Sequence, residues 1–190
     1  EKLEARLDEI ERTAPAIRGR AAVVLDQSLS MASSGERANY PFALAVALTR
    51  LLQARCTQVT VHGTVPGVSP VEAPSFPRPR GVGDLAKAVL AAARTSPQVI
   101  FVITDGYENR REGDVAEVVR GVRQLDLGIA VYQVVPLFST SEDLSHRRLS
   151  DSVPLLALEH EDEVVELAAH VASQAGCACQ EGRKTNRLSF

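Results

Sequence analysis

Two short apolar runs that each stop at an aspartate constrain this chain more than any other feature. They are Val23-Val24-Leu25-Asp26 and Val99-Ile100-Phe101-Val102-Ile103-Thr104-Asp105. The first aspartate is followed by Gln27-Ser28-Leu29-Ser30, which sets two hydroxyls at alternate positions, and the second by Gly106. Short continuous apolar runs bounded by polar turn residues suit strands covered on both faces, as in a parallel sheet. In such sheets ligands bind beyond the carboxyl ends of the strands, where the strand order reverses. Both aspartates then belong to one edge of one sheet. If their strands are neighbours, Asp26, Ser28, Ser30 and Asp105 converge as an all-oxygen set, suited to a hard divalent cation such as magnesium.

The rest of the chain supplies the layers around those strands. Leu3, Leu7 and Ile10 recur at helical spacing in a charged segment that ends before Pro15, which predicts an amphipathic helix. Ala21 to Leu25 is the first strand. After a serine-rich loop, Asn39 offers an N-cap and Pro41 lies in the first turn of a helix running to about Ala54. Apolar residues surround most of that helix, so it should be heavily buried. Gln58 to Val65 alternates as a strand. Residues 66–80 hold five prolines, which allows at best a short edge strand near Val68 to Val71. Asp84 caps a helix whose inner face is Leu85, Ala88, Val89 and Ala92. Gln98 to Thr104 is the second organising strand. Asp114 and Glu117 form a capping-box pattern, and Val115, Val118, Val119, Val122 and Leu125 form a helical stripe. Leu127 to Val135 is a further buried strand, followed by a polar loop to Val153 and a short strand, Leu155 to Leu158. Glu161 to Ala175 is a closing helix that stops at Gly176.

Strands alternate with helices, so the expected class is α/β: a doubly wound, mostly parallel sheet of about six strands flanked by helices. The expected organisation is an N-terminal helix and linker over 1–18, one domain over 19–176, and a polar tail over 177–190. With 190 residues and 45% hydrophobic content, the chain suffices for one well-cored domain. A net charge of -3 gives no reason to expect nucleic acid or an anionic membrane as partner, and no run approaches the roughly 20 apolar residues of a membrane span. The chain opens on Glu1, which suggests a fragment or a processed form. Cys177 and Cys179 are too close in sequence for an unstrained disulfide, which favours free thiols in a reducing, cytoplasmic setting.

So placed, the residues resemble a von Willebrand factor type A domain, whose metal-ion-dependent adhesion site carries Asp-x-Ser-x-Ser after the first strand and Thr-Asp-Gly after a later one. Here those motifs are Asp26-Gln27-Ser28-Leu29-Ser30 and Thr104-Asp105-Gly106, and the resemblance spans about Ala21 to Ala175. It implies a Rossmann-like fold and a Mg2+ site (or Mn2+ or Ca2+) formed by Asp26, Ser28, Ser30 and Asp105. It also implies a non-enzymatic module, one part of a larger intracellular protein, that binds another protein when an acidic side chain of the partner completes the ion's shell. Assemblies containing ring-forming ATPases are one such context. One departure stands out. The family often reads Gly-Gly-Thr-Asp-Leu at the third loop, whereas this chain reads Gly81-Val82-Gly83-Asp84-Leu85, so Gly83 falls where a threonine hydroxyl is expected.

Each of these residues also has an ordinary role: Asp and Ser favour strand-to-helix loops, Asp-Gly makes turns, and Asp84 is a good cap. Glu108 and Asn109 read as solvated loop residues, and so do Arg147 and Arg148. Two other functions stay open. A metal-assisted phosphoryl-transfer enzyme of haloacid dehalogenase type also places an aspartate after its first parallel strand, but needs a second aspartate as proton shuttle, where this chain has Ser28. A degenerate, metal-free scaffold is the other, with Gly83 as its support.

Overall fold

A computed structural model of the chain describes residues 17–32, 40–65, 81–136 and 147–158. Five strands form one parallel sheet: β1 (Ile17–Leu25), β2 (Cys56–Gly63), β3 (Val99–Ile103), β4 (Ala130–Pro136) and β5 (Leu155–Leu158), in the order β2-β1-β3-β4-β5. Three helices lie between them: α1 (Tyr40–Arg55), α2 (Leu85–Ala93) and α3 (Asp114–Gln124). The fold is α/β and doubly wound, as the alternation requires. The proline-rich segment with its possible edge strand, the N-terminal helix, the closing helix, the Asn39 cap and the cysteine tail all lie outside the described residues.

The helices divide between the faces for a topological reason. The chain steps one way from β1 to β2, then crosses back past β1 to β3 and onward. Crossovers of one hand then place helices on opposite faces. α1 packs with Ala21, Val23, Leu25, Phe101 and Ile103 on one side. On the other side α2 and α3 pack with Ala22, Val24, Ile100 and Val102. β3 is covered on both sides and all five of its residues are buried, which is why it reads as an unbroken apolar run. α1 is buried around most of its circumference. α2 buries Leu85, Ala88, Val89 and Ala92, as their spacing predicts, and Asp84 caps it by accepting from the Lys87 N–H at 3.0 Å.

Several local expectations are corrected. β1 begins at Ile17, inside the segment expected to be linker. β2 runs from Cys56 to Gly63 and so releases Thr64 and Val65 into the loop beyond it. Asp114 is no N-cap: it is the first residue of α3, and the cap is Gly113, which makes no side-chain bond. The orphan N–H groups of that helix end go instead to Glu108, whose carboxylate accepts from Gly113 at 2.6 Å and Val115 at 2.8 Å. A carboxylate there also suits the positive end of the helix dipole. Glu108 is therefore a cap and not a solvated loop residue. Leu125 does not extend the buried stripe of α3. The helix ends before it, and it is 70% exposed.

One buried polar side chain shapes the carboxyl edge. Gln133 of β4 is fully buried; its amide nitrogen donates to the Arg147 carbonyl at 2.7 Å and its amide oxygen accepts from the Leu149 N–H at 2.9 Å. Residues 147–149 are thereby strapped against the loop after β3, where the Arg147 N–H also donates to the Asp105 carbonyl at 3.2 Å. Gly106 lies under the strap with φ +90, and a Cβ there would meet the Arg147 carbonyl oxygen at 1.9 Å, so only glycine fits. Gln133→Leu would keep the side chain's bulk but leave both strap groups without their partner. A loss of about 1–3 kcal/mol of unfolding free energy is expected in urea denaturation. A change below about 0.5 kcal/mol, typical of surface sites, would contradict this role.

Candidate functional site

The order β2-β1-β3-β4-β5 reverses direction between β1 and β3, and that is where a doubly wound sheet opens a crevice at its carboxyl edge. Leu25 pairs with Ile103 as the last register position of the two strands, so Asp26 and Thr104 leave the sheet side by side. The Asp26 N–H still donates to the Ile103 carbonyl at 3.0 Å. Asp26 and Asp105 thus sit at the same end of adjacent strands, as expected. The Asp26 side chain is buried, with the residue 1% exposed, whereas Asp105 is only half-buried.

Hydroxyl and amide donors surround Asp26. Its Oδ2 accepts from the Thr104 hydroxyl at 2.7 Å. Its Oδ1 accepts from the Ser28 N–H at 2.9 Å and, at a longer 3.4 Å, from the Thr64 hydroxyl. The Ser28 and Ser30 hydroxyls lie 2.8 Å apart and share a hydrogen bond. Ser28 is buried and Ser30 exposed, so the pair runs from the interior to the surface. A single 3-10 turn, Leu29–Ala32, begins within the motif and anchors Met31 in the core. The Asp105 carboxylate accepts from the Tyr107 N–H at 3.1 Å. The Arg147 guanidinium lies 4.9 Å from the Tyr107 ring centroid and pairs with Glu112 at 3.6 Å. Arg147 is thus engaged at the rim of this edge.

Two residues of the site were missed by sequence reasoning. Thr104 stands out in the sequence only as part of a motif, and its hydroxyl makes the shortest bond to Asp26. Thr64 reads in the sequence as the continuation of a strand, and the strand ends before it. Gly83 is buried in the third loop, and a Cβ on it would meet the Thr64 hydroxyl oxygen at 2.5 Å and Asp26 Oδ1 at 3.4 Å. Asp84 stays with its helix as a cap. Cys56 is buried away from this edge at the start of β2, and burial pushes its thiol up to about 11, which makes it inert. His62, on β2, bonds Thr60 at 3.3 Å, and burial lowers its pKa.

The electrostatics of Asp26 are unusual. Burial pushes its carboxyl above the ordinary 3.8; hydrogen bonds from Thr104 and Ser28 act against that, while the negative Asp105 reinforces it. Among the described residues no Lys, Arg or His pairs with Asp26. Nor does any group of three His, Cys, Asp or Glu come together among them. A cation here would be held by two carboxylates and by hydroxyls. Oxygen donors of that kind suit magnesium, manganese or calcium and not a soft metal.

No family model matches the chain, and no curated protein matches it. Among solved structures it is similar to the RO (RSR) protein of Deinococcus radiodurans, at 19% identity and a TM-score of 0.55, over 90% of this chain and 38% of that one. It is also similar to proximal thread matrix protein 1 of the mussel byssus, at 14% identity and 0.54, over 86% of this chain and 49% of that one. A signal receiver domain from Vibrio parahaemolyticus matches at 14% identity and 0.48, over 87% of this chain and 96% of that one. The chain thus spans less than half the length of the first two. At these identities the likeness is one of fold.

The raised pKa of Asp26 has a consequence for stability. The folded chain holds this proton more tightly than the unfolded chain does. The penalty of the bare carboxylate is therefore absent below 3.8, grows as pH rises from there to the folded value, and is complete above it. Asp26→Asn removes the penalty. In buffer free of divalent ions at neutral pH the variant should melt higher than the parent, by about 2–4 °C per kcal/mol relieved. The gain should vanish below pH 3.8. A variant that melts lower than the parent at neutral pH would refute this.

Proposed function

We propose that this chain is a protein-interaction module of the von Willebrand factor type A kind, dependent on a divalent cation of the magnesium type. The observation that carries the reading is the Asp26 carboxylate, 1% exposed at the switch point of the sheet with a second carboxylate nearby and, among the described residues, no basic partner. A buried carboxylate in that position either keeps its proton or takes a positive charge from outside. The oxygen donors around it favour the second outcome.

Ser28, Ser30 and Asp105 would hold the ion, with Asp26 close behind them through its bonds to Ser28 and Thr104. When bound, the ion supplies positive charge and a position open to an outside ligand. With Asp26 behind them, Asp105 is the one charged ligand among these residues and the hydroxyls are neutral, so the ion keeps net positive charge and an acidic side chain on another protein is an apt last ligand. The surface around the edge suits a protein partner: Leu29, Val82 and Tyr107 are exposed on the loops that follow β1, precede α2 and follow β3. The setting we infer is cytoplasmic, within a larger assembly that can include an ATPase. No helix among the described residues is long and apolar enough to cross a membrane.

The role is non-enzymatic in this reading. A phosphoryl-transfer aspartate must present an oxygen to its substrate, but both Asp26 oxygens already accept hydrogen bonds beneath the surface. Ser28, where the proton shuttle would stand, bonds Ser30. Titration calorimetry with Mn2+ and Mg2+ tests the proposal. The parent chain should take up one ion and gain stability, by about 2.7 kcal/mol at a hundredfold excess over Kd. Asp26→Ala should stay folded by circular dichroism and bind none. Unchanged uptake in Asp26→Ala, or no uptake by the parent, defeats the reading.

A further inference from the structure

The third loop lacks the hydroxyl that its counterpart in the family carries, yet the space is filled. The direction in which residue 83 would project a side chain leads to the Thr64 hydroxyl at 2.5 Å, the Thr64 Cβ at 2.8 Å and Asp26 Oδ1 at 3.4 Å. A side chain at 83 and the threonine at 64 therefore exclude one another. Thr64 is also held in place from three sides. Its N–H donates to the Leu25 carbonyl at 3.3 Å, and its carbonyl accepts from the Asp84 N–H at 3.0 Å. Its hydroxyl accepts from the Gln27 N–H at 3.0 Å. Because that lone pair is used by Gln27, the hydroxyl proton is free to point at Asp26 Oδ1, 3.4 Å away.

We propose that Thr64, at the carboxyl end of β2, is a positioning residue of the cation site: its hydroxyl takes over the place left by Gly83 and orients the Asp26 carboxylate. This rests on the cation-binding reading given above. In this arrangement the missing third-loop hydroxyl has moved to a neighbouring strand end, and Gly83 is the residue that makes room for it. The stitch also joins three loops, after β1, after β2 and before α2, through one residue. A partner that pulls on any of them would be felt at Asp26.

Manganese binding by the full chain, read by electron paramagnetic resonance alongside thermal melts, tests this. Thr64→Ser keeps the hydroxyl and should bind Mn2+ within about twofold of the parent. Thr64→Val keeps the shape and should bind about 10–100-fold more weakly, the range for loss of a group that orients a metal ligand. Gly83→Thr alone should melt lower and bind poorly because it collides with Thr64. Combined with Thr64→Gly, which removes both the hydroxyl and the Cβ that it meets, Gly83→Thr should recover binding. Parent-like affinity in Thr64→Val overturns the proposal and leaves the site itself standing. Equal weakening in Thr64→Ser and Thr64→Val also overturns it, because packing and not the hydroxyl would then matter. Absence of Mn2+ binding by the parent removes both this inference and the site it rests on.

Discussion

A carboxylate removed from water and left without a positive neighbour is costly to build into a fold, and among the described residues Asp26 is such a group. The effective penalty for an unpaired buried ion is several kcal/mol, comparable with a large part of the stability of an ordinary domain. Hydrogen bonds from Thr104 and Ser28 lower that penalty without cancelling it, since the pKa stays raised. The surrounding structure has to hold the group in place. It does so by making Asp26 the first residue past a strand buried on both sides, with its own N–H still bonded to the Ile103 carbonyl.

The fold supplies that rigidity in layers. The parallel register of β1 and β3 sets Asp26 beside Thr104, with Asp105 one residue further along the same edge. Hydrophobic cores on both faces of the sheet fix the strands themselves. Beyond the strand ends, polar groups take over from apolar packing. Gln133 reaches from β4 to strap residues 147–149 over Gly106, and Glu108 closes the start of α3. Thr64 joins the loops on the β2 side. The carboxyl edge is therefore braced by hydrogen bonds, while apolar side chains on its loops face solvent.

Much of this was legible in the residues. The buried run of β3, the inner face of α2 and the convergence of Asp26 with Asp105 follow from periodicity and from the rule for parallel sheets. What escaped has identifiable causes. Glu108 caps a helix that starts six residues later, and a closer Asp and Glu gave a false capping signal. Leu125 fits the helical stripe, but the backbone turns at Asp126, whose φ of 47 lies in the left-handed region, and the glycine that follows, Gly128, comes too late to mark that stop. Thr64 continues the alternation of β2, so its release into the loop depends on where pairing with β1 ends, a tertiary fact. Gln133 was different: a lone amide in an apolar strand had to find partners, and the signal was there to be used.

On the proposed reading the site gives up stability in order to bind a cation, and the state of one carboxyl group reports on that exchange. Carbon-13 NMR titration of the Asp26 carboxyl, with and without saturating Mg2+, measures it directly. The account predicts a pKa above 3.8 without the ion and a marked fall when the ion is present. The same titration curve in both conditions would contradict it.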